Sequence, residues 1–241
     1  VSSLSTSGSG TTNAIVGGNA SNSTLTVNQS GTTVFAGALG GVGTNENKLN
    51  LLKSGAGSLT VSGATTYTGT TSVTGGSLTL SGTVNGTPGL SVSGSGSTLA
   101  LTGPITGASS ITSVNVADGS TLSLINGAGD KLNSLTSLTL GSASGTMSFL
   151  NLNVGDVTGT DQATTDKLTL LTGGALITGV LGAGDWLLGS TPGGFTSITL
   201  TKTDTLMYIT TGTLITGSSY WRGALGGGTD TTWNANANNW S

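Results

Sequence analysis

The sequence predicts an all-β protein, wound as a parallel β-solenoid whose stacked coils are about 20 residues long. A short strand of alternating aliphatic and hydroxyl residues returns at near-constant spacing, Gly-rich corners separate its copies, and the chain is almost free of charge. The strand appears as Ser23-Thr24-Leu25-Thr26-Val27, Ser58-Leu59-Thr60-Val61, Ser77-Leu78-Thr79-Leu80, Thr98-Leu99-Ala100-Leu101, Thr121-Leu122-Ser123-Leu124, Ser137-Leu138-Thr139-Leu140 and Lys167-Leu168-Thr169-Leu170. From Leu59 the steps to Leu78, Leu99, Leu122 and Leu138 are 19, 21, 23 and 16 residues.

Within each copy the period is two, so Leu59 and Val61 are expected to face a core while Ser58 and Thr60 face water. Between copies lie Gly55-Ala56-Gly57, Gly75-Gly76, Gly94-Ser95-Gly96 and Asn126-Gly127, where positive φ is available at little cost. One such coil buries too few aliphatics to offset the ordering of its own backbone, whereas stacked coils share a continuous apolar column. The alternative arrangement is an antiparallel sandwich, in which Asn85-Gly86 would serve as a hairpin turn.

Composition narrows the function. Only 6% of the 241 residues are charged, against roughly 25% in an ordinary soluble domain. Hydration must therefore come from Ser, Thr, Asn and the backbone of 43 glycines. The 34% of apolar residues, placed in pattern, separates the chain from Gly/Ser linkers. A net charge of −3 with no basic stripe argues against nucleic acid as a partner. No apolar run approaches the roughly 18 residues of a membrane span, so insertion of this segment is not expected. Without Cys or His there are no disulfides, no thiolate sites and no imidazole base or ligand. No cofactor is expected.

The run from Lys53 to Leu80, with Lys53-Ser54-Gly55-Ala56-Gly57-Ser58-Leu59-Thr60-Val61, then Tyr67-Thr68-Gly69-Thr70-Thr71 and Val73, closely resembles the autotransporter-associated β-strand repeat. That family's pattern is K-x-G-x-G-x-L-x-L-x-G-x-N-x-Y-x-G-x-T-x-V-x-x-G-x-L-x-L, and Thr65 departs from it where Asn is usual. Near the C-terminus Tyr220-Trp221-Arg222-Gly223, Trp233 and Asn239-Trp240-Ser241 resemble the W-x-G…W…N-W-S segment that opens units in the same proteins. The resemblance implies a right-handed β-helical passenger on a Gram-negative-type cell surface, acting as scaffold, adhesin or stalk without an active site.

On this basis residues 1–216 are expected to form the solenoid and 217–241 a Trp-containing junction to a further unit. The expected function is a non-catalytic, extracellular structural or adhesive segment that stacks with neighbouring units or identical chains into a stalk or fibre. The alternative is a module that binds or degrades polysaccharide. Trp221, Trp233 and Trp240 are the candidate contact residues, either closing the junction or stacking on a surface glycan or partner.

Other motifs are weaker. Gly127-Ala128-Gly129-Asp130 and Gly182-Ala183-Gly184-Asp185 are similar to fragments of Gly-Asp calcium repeats, but they lack the tandem copies that would surround an ion and read as turns. Asp156, Asp161 and Asp166 cluster without the basic partners of a polysaccharide-cleaving site; only Lys167 is near. The Asn-x-Ser/Thr triplets at Asn19, Asn22, Asn28, Asn85 and Asn239 follow from composition. Thr65-Thr66 and Thr70-Thr71 raise an ice-binding face, but no Thr-x-Thr pair recurs at a fixed place in the coil.

Overall fold

Alternation with period two makes strands whose inward side chains can be covered only by the next coil, and the chain winds accordingly. The computed structural model describes residues 1–7, 12–106 and 111–125, with the strands Leu132–Leu135, Ser137–Leu140, Phe149–Asn153, Lys167–Leu170, Thr178–Gly179, Ile198–Lys202 and Leu206–Thr211 beyond them. Among these residues there is no helix, and about five turns of a parallel β-solenoid are stacked.

Each full turn has three faces. The first is built from Ser23–Asn28, Leu49–Ser54, Thr71–Val73, Gly89–Val92, Ser113–Val116, Ser137–Leu140 and Thr178–Gly179, all parallel. The second stacks Thr32–Phe35, Ser58–Val61, Ser77–Leu80, Thr98–Leu101, Thr121–Ile125 and Phe149–Asn153 in the same sense. The third is narrow: Ala14–Ile15 pairs with Ala38–Leu39, and single bridges continue it through Thr65, Val84 and Ile105. Residues 1–7 and 12–15 lie over the first complete coil as a partial turn. Thr26 O accepts from the Val1 ammonium at 2.7 Å, Val1 O from Asn28 N at 2.8 Å, and Val34 O from Thr6 N at 3.1 Å.

Inside, register partners form columns. Leu59, Leu78, Leu99 and Leu122 stack on the second face, with Val61, Leu80 and Leu101 beside them, all at most 1% exposed. Leu39, Val84 and Ile105 close the third side, with the buried Thr65 between Leu39 and Val84. The aliphatics therefore face inward at one-coil intervals, as the alternation predicts.

The spacing needs one correction. Leu138 does not follow Leu122; it lies opposite Val114 on the first face, and the second-face partner of Leu122 is Leu150. Leu25 likewise lies on the first face, opposite Leu51, and Leu168 opposite Leu132. Both main faces bury every second residue, so the same Leu-x-Leu text serves either, and strand pattern alone does not say which.

Asn85-Gly86 is not a hairpin. It turns the corner between the third face and the strand Gly89–Val92, with Gly86 at φ +117. The sandwich alternative fails with it over the described coils. Antiparallel pairing occurs further on, where Leu206–Thr211 pairs with both Ile198–Lys202 and Lys167–Leu170. Only three residues, 203–205, separate the first two of these strands, far short of the dozen or so that a parallel crossover requires.

Corners demand glycine where coils touch. Gly63, Gly82 and Gly103 stack at the exit from the second face. A Cβ at each would lie 2.1 Å from the carbonyl oxygen of Gly37, Gly63 and Gly82, respectively. Gly82→Ala is expected to lower stability by about 1–3 kcal/mol through this overlap, read by thermal or denaturant unfolding. Gly18→Ala, with open space around the added carbon, is expected to stay within about 0.5 kcal/mol. Equal effects would refute the close-stacked corner.

Candidate functional surface

Since every second residue is committed to the core, chemistry with a partner falls to the outward positions. On the second face these form two columns, Thr32, Ser58, Ser77, Thr98 and Thr121, and Val34, Thr60, Thr79, Ala100 and Ser123. On the first face Thr26, Leu52, Ser72, Ser91, Asn115 and Thr139 are in register. None of these residues is charged. Hydroxyl and amide groups about 4.8 Å apart across the strands make a neutral, hydrogen-bonding surface. No Thr-x-Thr pair recurs on it: Ser58-x-Thr60 and Ser77-x-Thr79 are in register, but Thr98-x-Ala100 and Thr121-x-Ser123 follow. The threonines that had suggested an ice-binding face do not form one, because Thr65 and Thr71 are buried.

A hollow of about 260 Å³ interrupts the first face, lined by Thr70, Thr71, Ser72, Gly89, Leu90, Ser91, Ser113 and Asn115. It exists because Gly89 carries no side chain between Thr70 and Ser113. Its lining can donate and accept hydrogen bonds but holds no carboxylate or aromatic ring, so it has no means of general acid–base catalysis. The carboxylate of Glu46 is used locally, accepting from Gly43 N at 2.8 Å within the loop that follows the first complete coil. Among the described residues no three Asp, Glu, His or Cys side chains converge as a metal site.

The repeat motif itself points inward. Lys53 occupies the same column as Val27, Val73, Val92 and Val116 and is 0% exposed. Its Nζ donates to the carbonyls of Ser54 and Gly55 at 2.9 Å and of Gly75 at 3.1 Å. Burial lowers its pKa below the ordinary 10.5. Tyr67 is also fully buried. Its hydroxyl lies 2.5 Å from Thr71 Oγ1, which is 3.2 Å from Thr87 Oγ1, and Thr87 donates to Gly69 O at 2.8 Å. Burial pushes the Tyr67 phenol up to about 12, and the Thr71 hydrogen bond opposes that shift.

Lys53, Tyr67 and Thr71 are thus structural, and the sequence reading had not placed them in the core. A signal for Lys53 was present, since it continues the inward parity of Leu49 and Leu51. Trp221, Trp233 and Trp240, with the whole 217–241 junction, lie outside the described residues, as do Asp130, Asp156, Asp161, Asp166, Asp185 and Asn239 and the Lys167 side chain. Asn19, Asn22, Asn28 and Asn85 are exposed. No protein-family model, curated protein or solved structure matches this chain.

The raised phenol pKa fixes a pH dependence. Because the folded value is about 12 and the ordinary value 10.0, burial of neutral Tyr67 contributes stability that is complete below pH 10 and lost as pH rises through 12. Relative to Tyr67→Phe, the native chain is expected to lose about 2–3 kcal/mol over that interval, measured by denaturant unfolding at each pH. A difference that does not change with pH would contradict the buried, neutral phenol.

Proposed function

We propose that this chain is a non-catalytic structural or adhesive segment of an autotransporter-like protein, displayed outside the cell and extended into a stalk or fibre by stacking on neighbouring units or identical chains. One observation carries the reading: of the residues that resemble the family's repeat, Lys53, Gly55, Gly57, Gly69 and Thr71 meet the neighbouring coil, and the buried Tyr67 hydrogen-bonds Thr71. Among the described residues, the outward columns on the two main faces carry no charged side chain. A scaffold requires that division of labour, whereas an enzyme would turn acids, bases or a cation toward a cleft. Neutral hydroxyl ladders also suit contact with sugars or with a matrix, where wet hydrogen bonds give adhesion without a strong field.

A polysaccharide-binding module is the second reading, and the hydroxyl- and amide-lined hollow at Gly89 favours it. It predicts that Gly89→Val, which fills the hollow, abolishes retention on the glycans that bind the native chain. Equal retention of the two chains would remove that reading.

Negative-stain images of the protein with its native flanks are expected to show rods or fibres that lengthen by about 4.8 Å for each coil added. Compact particles, monodisperse at high concentration, would overturn the stalk-or-fibre proposal.

A further inference from the structure

Apolar columns forbid a one-residue slip between coils, because moving 77–80 by one past 58–61 would turn Leu78 and Leu80 to water. They do not forbid a slip of two. Moving 77–80 by two residues past 58–61 leaves every second residue inward, and Ser or Thr outward, as before. The corners can absorb the change, since register partners one coil apart are separated by 26 residues between Leu25 and Leu51 but by 19 between Leu59 and Leu78. Selection of the observed register falls to the corners, where Gly82 stacks on Gly63 without room for a Cβ, and to the polar groups that cross between coils.

We propose that the buried Lys53 ammonium is the register key between its own coil and the next. Lys53 is the only charged side chain among the buried described residues, and it stands where other coils place valine. Two of its three carbonyls, Ser54 O and Gly55 O, belong to its own corner and move with it. The third, Gly75 O, belongs to the following coil. A two-residue slip carries that oxygen roughly 6–7 Å along the strand and leaves a desolvated ammonium short of an acceptor, a heavy penalty for a buried charge. The native register keeps all three bonds. A single polar residue in an apolar seam fixes the register of coiled coils by the same logic, at some cost in stability.

The chain has no cysteine, so disulfide mapping can read the register directly. Thr60 and Thr79 are partners on the outward side of the second face, away from Lys53. In the native chain Thr60→Cys with Thr79→Cys should oxidise. Thr60→Cys with Ser77→Cys or with Ser81→Cys should stay open, because those backbones are roughly 8 Å apart diagonally and beyond disulfide reach. Adding Lys53→Met, which keeps the volume and removes the charge, should leave the melting temperature equal or higher. It should also raise closure of one displaced pair by at least about tenfold, the population change that 1.4 kcal/mol of lost discrimination produces. Displaced pairs that stay open in Lys53→Met would overturn the proposal, and so would a Lys53→Met chain that fails to fold. As an independent check, an amine-acylating reagent should modify Lys53 in the native chain at least about tenfold more slowly than the partly exposed Lys48. Equal rates would overturn the pinned ammonium.

Discussion

A coil of this chain has no core of its own. Its inward Leu and Val side chains are covered only when the coils above and below present their own at the same height, and its strand donors pair with the same neighbours. Most other features follow from that dependence. Strand corners must be tight enough for coils to approach to β-sheet distance, which explains glycines whose missing side chains would overlap the previous coil's carbonyls. Outward residues are freed from folding duties, and those described on the two main faces are neutral, so these ladders carry no like-charge repulsion between coils.

The interior is not purely apolar, and several of its buried polar side chains reach across to a neighbouring coil. Gln29 donates to Ser58 O at 2.6 Å in the next coil, Lys53 to Gly75 O, Thr87 to Gly69 O, and Ser120 to Val92 O at 3.0 Å. Each of these bonds crosses from one coil to an adjacent one. Desolvating these groups costs free energy, and the compensating bond exists only when the coils are correctly aligned. Hydrophobic columns supply most of the driving force for stacking, while the polar crossings supply direction and register.

Much of this was legible in the residues. The column Leu59, Leu78, Leu99, Leu122 could be read from spacing, and Gly55, Gly76, Gly94 and Gly96 could be read as corners, because alternation and positive φ leave direct marks on composition. Which face Leu138 or Leu25 belongs to could not be read, since the two main faces bury the same pattern. The antiparallel pairing of Leu206–Thr211 was missed although the short 203–205 interval announces it. Burial of Lys53 could be read only from the parity of Leu49, Leu51 and Lys53, against the rarity of buried lysine. The functional surface was less legible than the fold. Hydroxyl ladders arise from any solenoid strand that alternates Leu with Thr or Ser, so their presence constrains the kind of contact more than the identity of the partner.

Parallel, in-register stacking around inward aliphatics fixes the distances between outward residues of successive coils. Val34, Thr60, Thr79, Ala100 and Ser123 form one column, so spin labels at Val34→Cys and Ser123→Cys, in a chain with no other cysteine, should report backbone positions four strand steps apart. A single narrow distribution centred at about 19 Å between backbones is expected, after allowance for the label arms. A broad or much longer distribution, as antiparallel strands or a sandwich would give for residues so far apart in sequence, would contradict it.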